Sequence, residues 1–162
     1  MATETPSYVK KRVLILGCGN TLFGDDGFGP ATAAYMEENC KIPRDVHVMD
    51  IGTGTSKILP IIALSEKKPQ KLIILDAIDM GRKPGDIFEV SVEGFLKNRT
   101  GDFSSHHFPA KHLLKELRDG GVEVIIIACQ VEKVPDVVSP GLSESVKGAV
   151  PKAAKIALKL AR

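Results

Sequence analysis

No stretch of the chain approaches the roughly 18 consecutive apolar residues that a membrane span requires, so no membrane location is expected. The amino terminus, Met1 to Lys11, is polar, carries Pro6 and two lysines, and lacks the apolar segment of an export signal. Charge of one sign is not in excess, because 22 Lys and Arg against 20 Asp and Glu leave +2. Nucleic-acid binders usually concentrate a basic excess, so no nucleic-acid partner is expected. Cysteine is scarce. Cys18, Cys40 and Cys129 are odd in number and form no C-x-x-C pair. That count excludes a disulfide framework or a thiolate zinc site and points to a reducing, cytoplasmic compartment. Cys18, close to Ile15 and Leu16, reads as a small buried side chain.

What remains is an ordinary globular composition, with 43% apolar and 26% charged residues in 162 positions. One domain over 1–162 is expected, with 1–10 as a flexible amino-terminal extension. Four Val- and Ile-rich runs read as strands buried on both faces: Arg12–Gly17, Asp45–Asp50, Lys71–Asp76 and Val122–Cys129. Helical spacing links Phe28, Ala31, Thr32, Tyr35 and Met36, and a shorter helix is expected from Thr55 to Leu64. Leu113, Leu114 and Leu117 mark another helix, and Val146, Val150, Ala153, Ala157 and Leu160 a last one. Pro151 either kinks that last helix or marks its start. Asp86–Val92 reads as an added edge strand. Alternating β and α predicts a three-layer α/β sandwich: a mainly parallel twisted sheet with one antiparallel edge strand and helices on both faces.

In open α/β sheets, ligands collect beyond the carboxyl ends of the strands. Three expected strands deliver acids to that rim: the first through Asp25 and Asp26, the second at Asp50, the third at Asp76. Gly17-x-Gly19 after a strand invites a dinucleotide reading, but the third glycine of that pattern would fall on Leu22. Asp25 and Asp26 would also repel a pyrophosphate there. The adjacent aspartates fit either a helix cap with a first-turn acid or one cap and one metal ligand. Asp76 is either a turn acid or a rim carboxylate. Ser104-Ser105-His106-His107 leads into the Leu113 helix, and its imidazoles are either surface groups or ligands. Two carboxylates and an imidazole together form an O/N set suited to zinc, nickel or another divalent first-row ion. Neither H-E-x-x-H nor G-x-S-x-G occurs, so neither a helix-borne zinc protease nor an α/β-hydrolase triad is supported.

The run Gly17-x-Gly19-Asn20-x-Leu22-x-x-Asp25-Asp26-Gly27-x-Gly29 resembles the opening motif of the hydrogenase maturation endopeptidases. Asp50-x-Gly52-Thr53-x-Thr55 is similar to that family's second motif, and Asp76-Ala77-Ile78 with Gly81, Pro84 and Gly85 to its third. Ser105-His106 resembles the fourth, and Gly141-Leu142-Ser143 with Val146 the start of the closing helix. The resemblance runs from about Lys11 to the carboxyl end and extends to the archaeal subgroup serving coenzyme F420-reducing hydrogenase.

The resemblance implies an endopeptidase that removes a C-terminal extension from the large-subunit precursor of a nickel–iron hydrogenase. Carried over, the metal ligands are Asp26, Asp76 and His106, with Asp50 as a further catalytic acid. Nickel would come with the precursor, and other divalent ions could substitute for it. Asp26 stands where many members have Glu, Ile51 where Gly is common, and His107 where Gln is usual, so either imidazole can be the ligand. Whether a metal or a carboxylate such as Asp50 activates the water is left open, since a bound ion lowers the pKa of water to about 7. A monomer is expected. The alternative is a nickel-binding assembly chaperone without peptidase activity. Asp26, Asp76 and His106 are expected to approach one point within about 5 Å, given ligand bonds near 2 Å.

Overall fold

The structure, a computed structural model, describes residues 5–97 and 108–162, with no side-chain description for 108–111. Its strands are β1 (Val13–Cys18), β2 (Val46–Gly52), β3 (Lys71–Ile78), β4 (Ile87–Val90) and β5 (Glu123–Gln130). The helices are α1 (Phe28–Asn39), α2 (Thr55–Leu64), α3 (Val92–Lys97), α4 (Phe108–Asp119) and α5 (Glu144–Leu160). The sheet has the order β2-β1-β3-β5-β4, parallel throughout except for β4, which runs antiparallel to β5 at the edge. The three-layer sandwich expected from the sequence is therefore the architecture observed.

Strand alternation sends successive side chains to opposite faces, which splits the apolar residues into two cores. Val13, Ile15, Ile73, Leu75, Ile125 and Ile127 face α1 and α5. Leu14, Leu16, Leu72, Ile74 and Ile126 face α2, α3 and α4. Ser7–Lys10 forms a 3-10 turn whose Val9 is buried in the second core, and Tyr8 stacks on His47. α5 begins at Ser143, which caps it by accepting from the Val146 amide, and runs without interruption through Pro151. Its far end meets cations, as the helix dipole favours: Arg12 Nη2 donates to the Ala161 carbonyl at 2.6 Å and Lys71 Nζ to that of Leu160 at 2.5 Å. Those partners start β1 and β3, so the amino end of α5 lies at the carboxyl rim of the sheet. Among the described residues, no helix is long and apolar enough to cross a membrane.

One contact sets how the first acidic loop is delivered. The start of α1 lies directly on β1 and β3, with backbone against backbone. A Cβ placed on Gly29 would stand 2.2 Å from the Cys18 carbonyl oxygen and 2.4 Å from that of Leu75. A Cβ on Gly17 would stand 2.3 Å from the Gly29 carbonyl oxygen. Neither obstacle is a movable side chain. Overpacked backbone contacts of this kind typically cost about 1–3 kcal/mol, so Gly29→Ala should lose at least about 2 kcal/mol. A urea titration reads this as a lowered midpoint at constant slope. An unchanged midpoint would mean that α1 can lift off β1 without penalty.

Candidate active site

β1 leaves the sheet at Cys18, passes Gly19 to Phe23, and enters a 3-10 turn, Gly24–Gly27, that leads straight into α1. Gly27 occupies the N-cap of α1 with no side-chain cap bond, so neither aspartate serves as that cap. Asp25 and Asp26 are each only 1% exposed, and they point to different partners. Asp25 accepts from the amides of Glu132 (2.9 Å), Lys133 (3.4 Å) and Ser143 (2.7 Å) and from the Ser143 hydroxyl (2.9 Å). Its carboxylate thus pins the turn to the segment after β5 and to the head of α5. Asp26 Oδ2 accepts from the Asn20 amide at 3.0 Å, while its own amide donates to the Phe23 carbonyl. Gly19 sits at φ 138°, and a Cβ there would lie 2.0 Å from the Asp26 carbonyl oxygen. The Gly17-x-Gly19 pattern therefore makes room for α1 and for the acidic turn.

The other acids reach the same rim. Asp76, 3% exposed, follows Leu75, which pairs with Gly17, so it lies beside Cys18 in the parallel register. Its Oδ1 accepts from the Ala77 amide at 2.9 Å. Asp50 pairs with Gly17 across β2, and its Oδ1 accepts from the Gly52 amide at 2.9 Å. A register shift follows at once: Cys18 pairs with Gly52, which makes a bulge at Ile51. Bulges commonly re-aim side chains beside active sites. The Gly19 amide then donates to the Gly52 carbonyl at 2.9 Å, tying the first loop to the second.

Cys18 is buried at the end of β1, where the first acidic loop begins. Burial first, and then the negative charge of Asp76, pushes its thiol well above the ordinary range. Asp50 and Asp26 add to that push, and the nearby Thr55 hydroxyl opposes it. Three carboxylates from three strand ends thus act on one buried sulfur. Beneath them lies a pocket of about 10 Å³, lined by Cys18, Thr55, Asp76, Phe95 and Leu114 among others. That is room for about one water molecule.

His106 and His107 lie outside the described residues, and so does the choice between them. Among the described residues, no three His, Cys, Asp or Glu side chains are grouped to hold a metal ion. α4 begins at Phe108 and packs on the face that carries Asp76, with Leu114 lining the same pocket. Two polar anchors escaped the sequence reading. Ser143 was seen only as part of the closing motif, and its bond to Asp25 is a contact across the chain. Buried Gln130 donates from Nε2 to Asp79 Oδ1 and to the Val131 carbonyl, each at 3.0 Å. Its Oε1 accepts from the Met80 amide at 2.8 Å and the Arg82 amide at 3.1 Å. This satisfied amide holds the loop that leaves β3, and an isolated Gln at a strand end carries no local signal of it.

The hydrogenase maturation protease family model, HycI, matches residues 30–160. The chain belongs to the hydrogenase maturation protease family. A hydrogenase maturation protease homologue of Methanocaldococcus jannaschii is 40% identical over 151 residues, spanning 92% of this chain and 96% of that one. The coenzyme F420 hydrogenase subunit delta of Methanothermobacter thermautotrophicus is 32% identical, spanning 90% and 92% of the two chains. Among solved structures, the hydrogenase maturating endopeptidase HybD from Escherichia coli superposes with a TM-score of 0.74 at 25% identity, covering 92% of this chain and 91% of that one. This family member is a peptidase.

Two measurements probe the geometry. Asp25→Ala would strand several buried donors at once and should cost about 3–5 kcal/mol of folding stability, readable by urea titration. A loss under about 1 kcal/mol would mean water replaces the carboxylate. The thiols give a pH test. Burial raises Cys129 from the usual 9.0 to about 12, and Cys18 is raised as well. Above pH 9 the native state keeps protons that the unfolded chain gives up, so stability should fall as pH rises towards 12. At pH 8, iodoacetamide should label half-buried Cys40 of the native protein and leave Cys18 and Cys129 unmodified until denaturation. Rapid native labelling of Cys18 would show that the rim opens.

Proposed function

We infer that this protease cleaves the large-subunit precursor of a nickel–iron hydrogenase, removing a C-terminal extension after nickel has been inserted. The observation that carries the reading is the delivery of Asp26, Asp50 and Asp76 to the carboxyl ends of β1, β2 and β3 in a member of this family. Asp26 and Asp76 offer hard oxygen donors, and His106 offers an imidazole ahead of α4; this O/N set suits a divalent first-row ion. Carboxylates close together repel when no cation is present, so the site gains by taking up the charge its substrate brings. Nickel is therefore cargo, and its presence in the precursor signals that assembly has reached the stage at which cleavage is useful. Other divalent ions can occupy the same donors.

Hydrolysis adds water across the scissile C–N bond, and the leaving amine takes a proton. Asp50 is exposed at the rim, where a carboxylate can receive the water's proton; the metal would act by acidifying that water. The likeness to the coenzyme F420 hydrogenase subunit delta supports an F420-reducing hydrogenase as the source of the precursor. The protein works as a cytoplasmic monomer in this reading.

The test is to incubate the protein with a nickel-loaded, extended precursor and weigh the products. Release of the terminal peptide is expected from wild type, and no release from precursor lacking nickel. Asp76→Asn keeps the side-chain shape and should slow processing by at least about a hundredfold, the scale on which acid–base groups act. Its melting temperature should stay close to that of wild type. Stable capture without cleavage by wild type would overturn the peptidase reading and favour an assembly chaperone. Full cleavage by Asp76→Asn would remove that acid from the reaction.

A further inference from the structure

We propose that the small cavity between Thr55 and Asp76 holds one water molecule, through which Thr55 positions the Asp76 carboxylate. This rests on the reading of Asp76 as an acid of the reaction. Thr55 is the first residue of α2 and only 5% exposed. Among the described residues, its buried hydroxyl oxygen has no hydrogen-bond partner. A hydroxyl on a helix commonly returns to the carbonyl four residues earlier. Thr32 does so in α1, bonding the Phe28 carbonyl at 2.9 Å, and Ser65 does so at the end of α2, bonding that of Ile61 at 2.6 Å. For Thr55 that carbonyl belongs to Ile51, at the bulge of β2, and it accepts from the Gly54 amide at 2.8 Å instead. Buried polar groups are nearly always paired, and ordered water serves where no protein group does.

The surroundings suit a water and exclude anything larger. The Thr55 hydroxyl stands near the Cys18 thiol, and Cys18, Thr55 and Asp76 line the same cavity of about 10 Å³. Roughly that volume is the least that holds a water, so the occupant is a single molecule. A void with only apolar walls stays dry, whereas a water with two to four polar partners is retained. Here the partners are a hydroxyl, a carboxylate and a thiol, against an otherwise apolar lining. The water accepts from the Thr55 hydroxyl and donates to the Asp76 carboxylate, with the thiol as a weak third partner. Asp76 Oδ1 already accepts from the Ala77 amide on its own strand. A second directed bond, from the side of α2, fixes the rotation of the carboxylate and with it the lone pairs offered at the rim. Thr55 is buried below the acids and acts through Asp76, so it is a positioning residue. The bridge also ties the helix that follows the Asp50 loop to the strand that carries Asp76.

Two experiments decide. Thr55→Val keeps the shape and removes the hydroxyl, while Thr55→Ser keeps the hydroxyl and removes a methyl group. With nickel-loaded precursor, Thr55→Val should lower kcat by about tenfold at unchanged KM, the scale on which a supporting bond to a reacting group acts. Thr55→Ser should restore most of that rate, and both variants should melt close to wild type. A role in packing alone reverses the order, because valine fills the site better than serine. Thr55→Val at the wild-type rate, or faster than Thr55→Ser, would therefore overturn the proposal. High-resolution crystal structures of wild type and Thr55→Val give a readout that needs no cleavage. In wild type an ordered water is expected within about 3.2 Å of both the Thr55 hydroxyl and the Asp76 carboxylate. In Thr55→Val the water should be gone and the carboxylate rotated. A dry cavity in wild type, or an unmoved carboxylate in the variant, would also overturn it. Should wild type cleave nothing, the peptidase reading fails alone, because the two structures still show whether a water holds Asp76.

Discussion

Everything at the rim depends on one buried carboxylate, that of Asp25. Its two oxygens collect donors from the segment after β5 and from the cap of α5. Those partners are more than a hundred residues away in sequence, so the turn after β1 is clamped by the last third of the chain. Hydrogen bonds to an ionised group are roughly twice as strong as neutral ones, which suits a clamp with little apolar material of its own. Two adjacent aspartates divide the work: Asp25 ties the turn to distant segments, and Asp26 accepts from the Asn20 amide within the loop.

A second constraint comes from below. Gly17 and Gly29 let α1 lie on β1 at backbone distance, and Gly19 lets the Asp26 carbonyl fold back over the strand end. Any side chain at these positions would push the acidic turn outward. The thiol of Cys18 fills the space beneath with a small neutral group. A carboxylate there would add to the repulsion from the rim acids, and an ammonium would pair with them and cancel their charge. A buried thiol held in its neutral form does neither.

Much of this was legible in the sequence because its signal is local. Continuous Val and Ile runs gave the parallel strands, and Asp at their ends located the rim. α2 occupies the expected Thr55–Leu64, and the edge strand expected over Asp86–Val92 is β4, Ile87–Val90. What could not be read is whatever depends on distant partners. The cap-or-ligand question over Asp25 and Asp26 had no local answer, because the donors to Asp25 come from Glu132, Lys133 and Ser143. Pro151 was ambiguous because a proline interrupts helical pattern, yet Ser143 sets the start of α5 well before it. The bulge at Ile51, where the family commonly has Gly, shows only in the pairing of Cys18 with Gly52.

In the proposed reading, the electrostatics of the rim let a chain of nearly balanced charge favour a cationic cargo. Net charge of +2 gives no long-range pull on a metal-bearing partner. In that reading the attraction is short in range, and it comes from Asp26 and Asp76, carboxylates buried at the strand ends. Burial makes each charge costly by itself, and proximity makes the set costlier still. A divalent ion relieves both penalties at once; a bare polypeptide relieves neither. On this proposal, discrimination between loaded and unloaded precursor needs no separate sensor, because the same carboxylates that bind the ion report its absence by their repulsion.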